Sequence, residues 1–94
     1  MRVQQLRLYV VHGTPNSIRA EKNLRLALTE ISSDPTVCEP EIIDVVNNAG
    51  LALGDGVIVT PTLVGRRGAS RQIILGDLSD MDRLRLFLRS LFAV

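Results

Sequence analysis

Thr60-Pro61-Thr62-Leu63 and, further on, Gly76-Asp77-Leu78-Ser79 constrain this chain more than any other feature. A proline cannot donate to a sheet ladder, so Thr60-Pro61 can open a strand but not sit inside a central one. Gly65-Arg66-Arg67-Gly68-Ala69-Ser70 carries turn chemistry. It predicts a hairpin in which Thr62-Leu63-Val64 starts one strand and residues 71–75 return antiparallel. Gly76-Asp77 then leads into the last helix, with Ser79 as its expected cap and Asp82 close to completing a capping box. That helix carries Leu84, Phe87, Leu88 and Leu91 on its apolar stripe, and Arg83, Arg85 and Arg89 on the side expected to face water.

The first half has a different rhythm. Leu6, Leu8 and Val10 share one face of a predicted strand, while Tyr9 and Val11 enrich the other. Apolar residues on both faces predict a central strand covered on both sides. His12-Gly13 ends it, Thr14 is placed to cap a helix over residues 15–32, and Pro15 takes the first helical position. Ala20, Leu24, Ala27, Leu28 and Ile31 form the expected buried stripe, and Glu21 and Arg25 are spaced for an ion pair. After a loop at Ser33-Asp34-Pro35, residues 41–46 read as a second strand, parallel to the first because a helix separates them. Asp44 lies inside this apolar strand, where a hydrogen-bonding role near the strand end is expected. Residues 47–53 form a short helix, broken by Gly54-Asp55-Gly56. The order βαβαββα around a mixed four-stranded sheet resembles the thioredoxin-like arrangement, an α/β fold. There the X-Pro bond that opens a strand beside the first helix's N-terminus is cis, so a cis Thr60–Pro61 bond is expected.

The chain's 94 residues suit one domain over residues 1–94. Eleven basic and ten acidic residues leave a net charge of +1, so no strong field favours nucleic acid or an anionic membrane. No apolar run approaches a membrane span, and the N-terminal stretch lacks a long apolar segment, so the expected location is the cytoplasm. Cys38 is the single cysteine, which excludes an internal disulfide and fits a reducing compartment.

Redox members of that fold place a nucleophilic cysteine at the start of the first helix, where the helix N-terminus lowers its pKa. Here the stretch reads Gly13-Thr14-Pro15-Asn16-Ser17 and holds no thiol. Cys38, before the second strand, is read as a semi-buried apolar residue. His12 is the only histidine, no zinc pattern surrounds it, and no nucleophile elbow surrounds Ser17. Arg66, Arg67 and Arg71 cluster at the hairpin, but with one Tyr, two Phe and no Trp the chain offers no platform for stacking bases. They read as a solvated tip. No cofactor and no catalytic activity are expected.

Leu8-Tyr9-Val10, Thr14-Pro15-Asn16-Ser17 with Arg19-Ala20, Ile43-Asp44-Val45, Thr60-Pro61-Thr62-Leu63 and Ile74-Leu75-Gly76-Asp77-Leu78-Ser79 occur in an order that closely resembles the KaiB family. The resemblance spans residues 6–91. It implies a non-enzymatic protein–protein interaction module that binds a KaiC-family ATPase in clock or stress signalling, with histidine kinases or other clock regulators as further partners. It also implies fold switching between a tetramer of family-specific topology and a thioredoxin-like monomer. Arg19 and Lys22 match basic positions of the family's first helix, and Asp55 is kept beside a position similar to a KaiC contact. These three are the expected partner-binding residues, while Thr60, Pro61, Gly76 and Asp77 are expected to be structural.

The departures from the family are informative. Cyanobacterial members carry Gly and Asp where this chain has Phe87 and Arg89, and Gly56 stands in place of a lysine. Glu39 and Glu41 replace an Ala and a Lys on the edge leading into the second strand. Gly costs about 0.8–1.0 kcal/mol relative to Ala inside a helix. Phe87 adds apolar burial, and Arg89 suits the negative end of a helix. Both favour the thioredoxin-like state, hence a monomer or weak homo-oligomer. Two alternatives stay open: a stand-alone relative of the kinase sensor domain, and a glutaredoxin- or glutathione-transferase-like protein whose Thr-Pro strand and Gly-Asp turn hold glutathione.

Overall fold

A computed structural model describes residues 4–31 and 39–92. Cys38 and the Ser33-Asp34-Pro35 loop lie outside the described residues, as does residue 32 at the expected helix end. The elements are β1 (Gln4–Val10), α1 (Pro15–Ile31), β2 (Glu41–Asp44), α2 (Ala49–Gly54), β3 (Thr62–Arg67), β4 (Ser70–Leu75) and α3 (Met81–Leu91). The sheet order is β2-β1-β3-β4. β1 runs parallel to β2 and antiparallel to β3, and β3 is antiparallel to β4. β1 is therefore internal, as its two apolar faces require.

The two-residue period of β1 sorts the molecule into two packed layers. Leu6, Leu8 and Val10 meet Ala20, Leu24, Ala27 and Leu28 of α1 and Leu84, Phe87, Leu88 and Leu91 of α3. Tyr9 faces the other way, with Ile43, Val64 and Ala52 of α2. α1 and α3 thus cover one face of the sheet, and the six-residue α2 covers part of the other.

Local chemistry departs from expectation at several ends. The Thr14 main-chain carbonyl accepts from Ile18 N at 3.0 Å, but its hydroxyl donates back to the Val11 carbonyl instead of capping the helix. Ile31 is exposed, because the helix's last turn passes beyond the sheet-facing stripe ending at Leu28. Asp80, not Ser79, caps α3, its side chain accepting from Arg83 N at 3.1 Å. Ser79 N is instead held by Asp77 Oδ1 at 3.1 Å. Arg85 does not simply face water: it pairs with Glu30 at 2.8 Å and so ties α3 to α1. α2 starts at Ala49, later than expected, because Asp44 accepts from Val46 N and Asn47 Nδ2 and turns the chain first. The hairpin is tighter than its sequence suggests. Arg67 pairs with Ser70, leaving Gly68 and Ala69 as the turn, while Gly65 lies within β3.

Gly65 is where α3 comes closest to the sheet. A Cβ there would sit 2.8 Å from Phe87 Cζ and 3.2 Å from Leu91 Cδ2. The bare backbone of β3 is the seat for the Phe87 ring.

Candidate partner-binding surface

The strand ends and the loops that follow them gather the expected structural residues. The Thr60–Pro61 peptide bond is cis. Pro61 is buried, and its carbonyl accepts from Gly76 N at 2.9 Å, joining the two motifs that bracket the hairpin. Thr62 Oγ1 donates to the Val59 carbonyl at 2.6 Å. Gly76 has φ 97°, a conformation suited to glycine. Leu78 follows at φ 62° and buries its side chain among α1 and α3. Asp77 holds this turn together. Its carboxylate accepts from Ser79 N and pairs with Arg19 Nε at 3.3 Å, and its carbonyl accepts from Asn23 Nδ2 at 3.0 Å. Ser79 and Arg19 hold the Asp77 carboxyl below its ordinary value.

On α1, Arg19 and Lys22 are exposed. Arg19 already serves the fold through Asp77 and through a hydrogen bond to Asn16 Oδ1. Among the described residues Lys22 makes no ion pair, so its charge is available.

Asp55 is placed differently from expectation. As a partner contact it would need to be exposed, yet it is 4% exposed and engaged internally. Arg7 Nη1 meets its Oδ2 at 3.0 Å, Arg66 Nη2 meets its Oδ1 at 2.5 Å, and the Tyr9 hydroxyl donates to Oδ2. Arg71 Nη2 donates to its main-chain carbonyl. Burial raises the cost of the Asp55 charge, but hydrogen bonds from Tyr9, Arg66 and Arg7 outweigh it and bring its pKa down to about 2. Burial and the bond to Asp55 push the Tyr9 phenol up to about 12. Asp55 raises the Arg7 pKa above its usual value. Asp55 thus pins the end of α2 to the sheet, on the face opposite α1. The structure does not bring it together with Arg19 and Lys22.

Reading the sequence missed two features. The first is this carboxylate hub: Arg66 and Arg71 read as a solvated tip because their reach to Asp55 depends on strand register. The second is apolar. Ile58 is 92% exposed and Leu53 76% exposed, and Val46 and Leu75 are also open to solvent. Ile58, Val59, Thr62, Ile73, Leu75 and Arg83 line an open groove of about 540 Å³ beside the cis-proline strand. Val57-Ile58-Val59 is visibly apolar in the sequence, but nothing local shows that only Val57 packs inward. A contiguous apolar lining of this kind is a feature of interaction surfaces.

The fold's usual thiol position carries no thiol. Ser17 is buried, and its Oγ accepts from Val11 N at 3.2 Å. Among the described residues, no group of three or more His, Cys, Asp or Glu side chains is gathered where a metal could bind. Among the same residues, no helix is long and apolar enough to cross a membrane.

The sequence matches the family described as KaiB domain over residues 7–90. The circadian clock oscillator protein KaiB of Synechococcus sp. (strain CC9311) is 42% identical over 88 residues, spanning 93% of this chain and 71% of that protein. The protein of the same name from Microcystis aeruginosa is 39% identical over 87 residues, spanning 93% and 82%. Among solved structures, thioredoxin from Trypanosoma brucei brucei superposes with TM-score 0.67 at 16% identity, covering 94% of this chain and 74% of that one. The N-terminal domain of Synechococcus elongatus SasA superposes with TM-score 0.58 at 21% identity, covering 93% and 80%. At such identities the structural likeness speaks for the fold alone, and that fold is thioredoxin-like.

Proposed function

The chain belongs to the KaiB family, and from that premise we propose that it is a non-catalytic interaction module whose partner is a KaiC-family ATPase. Its family membership supports a clock-related module. The observation that carries the finer reading is the groove at Ile58, Val59 and Leu75, an apolar surface that the folded chain leaves uncovered. A partner that covers Ile58 removes its side chain from water, at a gain on the order of 2 kcal/mol. Lys22 and Arg19 lie on α1, which covers the other face of the sheet, and form a separate candidate contact: Lys22 has an uncommitted charge and Arg19 is positioned by Asp77.

Two further observations support the reading. The start of α1 carries Asn16 and a buried Ser17 in place of a reactive thiol, which weighs against disulfide exchange and against the glutathione-binding alternative. Phe87 is seated on Gly65 and Arg89 is exposed in the last turn of α3, so the helical C-terminal segment suits a chain that rests in the thioredoxin-like state. Binding then needs no refolding, and the free chain is expected to be monomeric.

The test is to mix the purified chain with a KaiC-family ATPase from the same cell, add nucleotide, and measure mass by size-exclusion chromatography with light scattering. A nucleotide-dependent complex is expected. Absence of a complex with either ATP or ADP would mean that the family fold serves a different partner.

A further inference from the structure

Arg7, Arg66 and Arg71 project from three adjacent strands onto one face of the sheet. The register requires this: Arg7 lies opposite Val64, two residues before Arg66, and Arg66 lies directly opposite Arg71. Like charges placed opposite each other in a sheet are destabilising unless something compensates. The compensation within the chain is incomplete. Three guanidiniums meet two carboxylates, Asp55 and the exposed Glu41, and Arg71 reaches only the main-chain carbonyl of Asp55. α2 packs on Tyr9, Ile43 and Val64 and stops short of the arginines. Arg66 is therefore partly open and Arg71 exposed. Among the described residues, Nη1 of Arg66 and both Nε and Nη1 of Arg71 hydrogen-bond to no protein acceptor.

The cluster is built rather than loose. Asp55 holds Arg7 and Arg66 through its two carboxylate oxygens, so neither guanidinium swings freely. Arg71 lies against Gly56, where a Cβ would stand 2.7 Å from its Nη2. Gly56 has φ 73°, which favours glycine, and its lack of a side chain leaves room for the guanidinium there. Arg67, the neighbour of Arg66, faces the other way and donates to the Ser90 carbonyl, so the clustering is specific to one face.

We propose that Arg66 and Arg71, with Arg7 behind them, form a binding site for a phosphate-class oxyanion, free or carried on a nucleotide. Planar guanidinium forks suit the tetrahedral oxygens of such a group, and charge-assisted bonds to it are the stronger kind. The site lies across the sheet from α1 and borders the apolar groove at Gly56, but it does not rest on the ATPase reading. Its occupation neutralises the Arg66–Arg71 repulsion and tightens the link between the end of α2 and the hairpin.

The experiment is an amide and arginine side-chain NMR titration of the whole chain with inorganic pyrophosphate, with chloride at matched ionic strength as reference. Saturable shifts centred on Gly56, Arg66 and Arg71 are expected, with affinity weakened at least about tenfold in Arg71→Gln. Arg71 is exposed, so that variant keeps the fold, and the wild-type shift map stands without it. A parallel titration with ADP separates the sources: tighter binding than pyrophosphate assigns the site to nucleotides, and equal or weaker binding assigns it to the free anion. Shifts that do not saturate, or that centre on Arg19 and Lys22, overturn the proposal and leave Arg71 as a charge that protects the β4 edge from pairing.

Discussion

The ring of Phe87 rests on the α-carbon of Gly65, with 2.8 Å between its Cζ and the place a Cβ would take. Each residue depends on the other. A side chain at 65 would lift α3 from the sheet, and a smaller residue at 87 would leave the bare strand uncovered. Gly65→Ala is expected to cost about 1–3 kcal/mol by overpacking. Phe87→Ala is expected to cost about 3–5 kcal/mol by leaving a cavity. Urea unfolding measures both. A Gly65→Ala midpoint equal to wild type would show that α3 is seated elsewhere.

Asp55 predicts a specific pH dependence. Its folded pKa lies at about 2, below the unfolded value. Its stabilisation is therefore complete above the unfolded carboxylate pKa and is lost as pH falls through about 2. Tyr9 gives the opposite limb. Its pKa of about 12 lies above the unfolded value, so its contribution is present below the ordinary phenol pKa and lost as pH rises through about 12. Asp55→Asn should cost on the order of 3 kcal/mol at neutral pH, because it leaves Arg7 and Arg66 without their shared counter-charge. Asp77 and Glu30 also have lowered pKa values, so the acid limb is read as the wild-type curve minus that of Asp55→Asn. A difference that does not shrink toward acid would remove Asp55 from the account.

The Arg85–Glu30 pair is the charged tie between α3 and α1, at 2.8 Å. It is exposed, so its worth is screened by salt. Arg85→Glu should lower the thermal midpoint, and adding Glu30→Arg should restore part of the loss at low ionic strength only. Equal rescue in high salt would mean that the effect is packing rather than charge.

Ile58→Asp tests the groove. Ile58 is 92% exposed in the free chain, so the substitution should leave the thermal midpoint within about 0.5 kcal/mol of wild type. Binding to the nucleotide-loaded ATPase should weaken by at least about tenfold, the loss of one buried aliphatic side chain. Lys22→Glu should weaken binding in a salt-dependent way. Unchanged affinity in Ile58→Asp would place the contact elsewhere.

Much of the fold is legible from residue order. The apolar alternation of Leu6, Leu8 and Val10 against Tyr9, the helix between the first two strands, and the Thr60-Pro61 and Gly76-Asp77 punctuation lead to a mixed four-stranded sheet with β1 inside it, as observed. What local pattern does not carry is decided by register and by competition at element ends. Asp80 and not Ser79 is the cap because the helix begins one residue later, at Met81, while Asp77 holds Ser79 N in the preceding turn. Gly65 looks like turn chemistry but is a strand residue kept small by a ring far along the chain. Asp55 looks like a loop carboxylate free for a partner. Its burial depends on Arg7, Tyr9 and Arg66, which come from two other elements and meet it only once β1 pairs with β3. The exposed Ile58 is hidden for the complementary reason, since an apolar run reads as core until the packing shows which of its residues turn outward.

The central claim is that this chain, in its thioredoxin-like state, engages a KaiC-family ATPase without refolding. Backbone chemical shifts recorded before and after adding the nucleotide-loaded ATPase test it most directly. The prediction is that amides at Lys22, Leu53 and Ile58 shift or broaden on binding, while residues 81–91 keep helical carbon shifts in both states. Strand-type shifts over residues 80–90 in either state, or no perturbation at any ratio of ATPase, would contradict it.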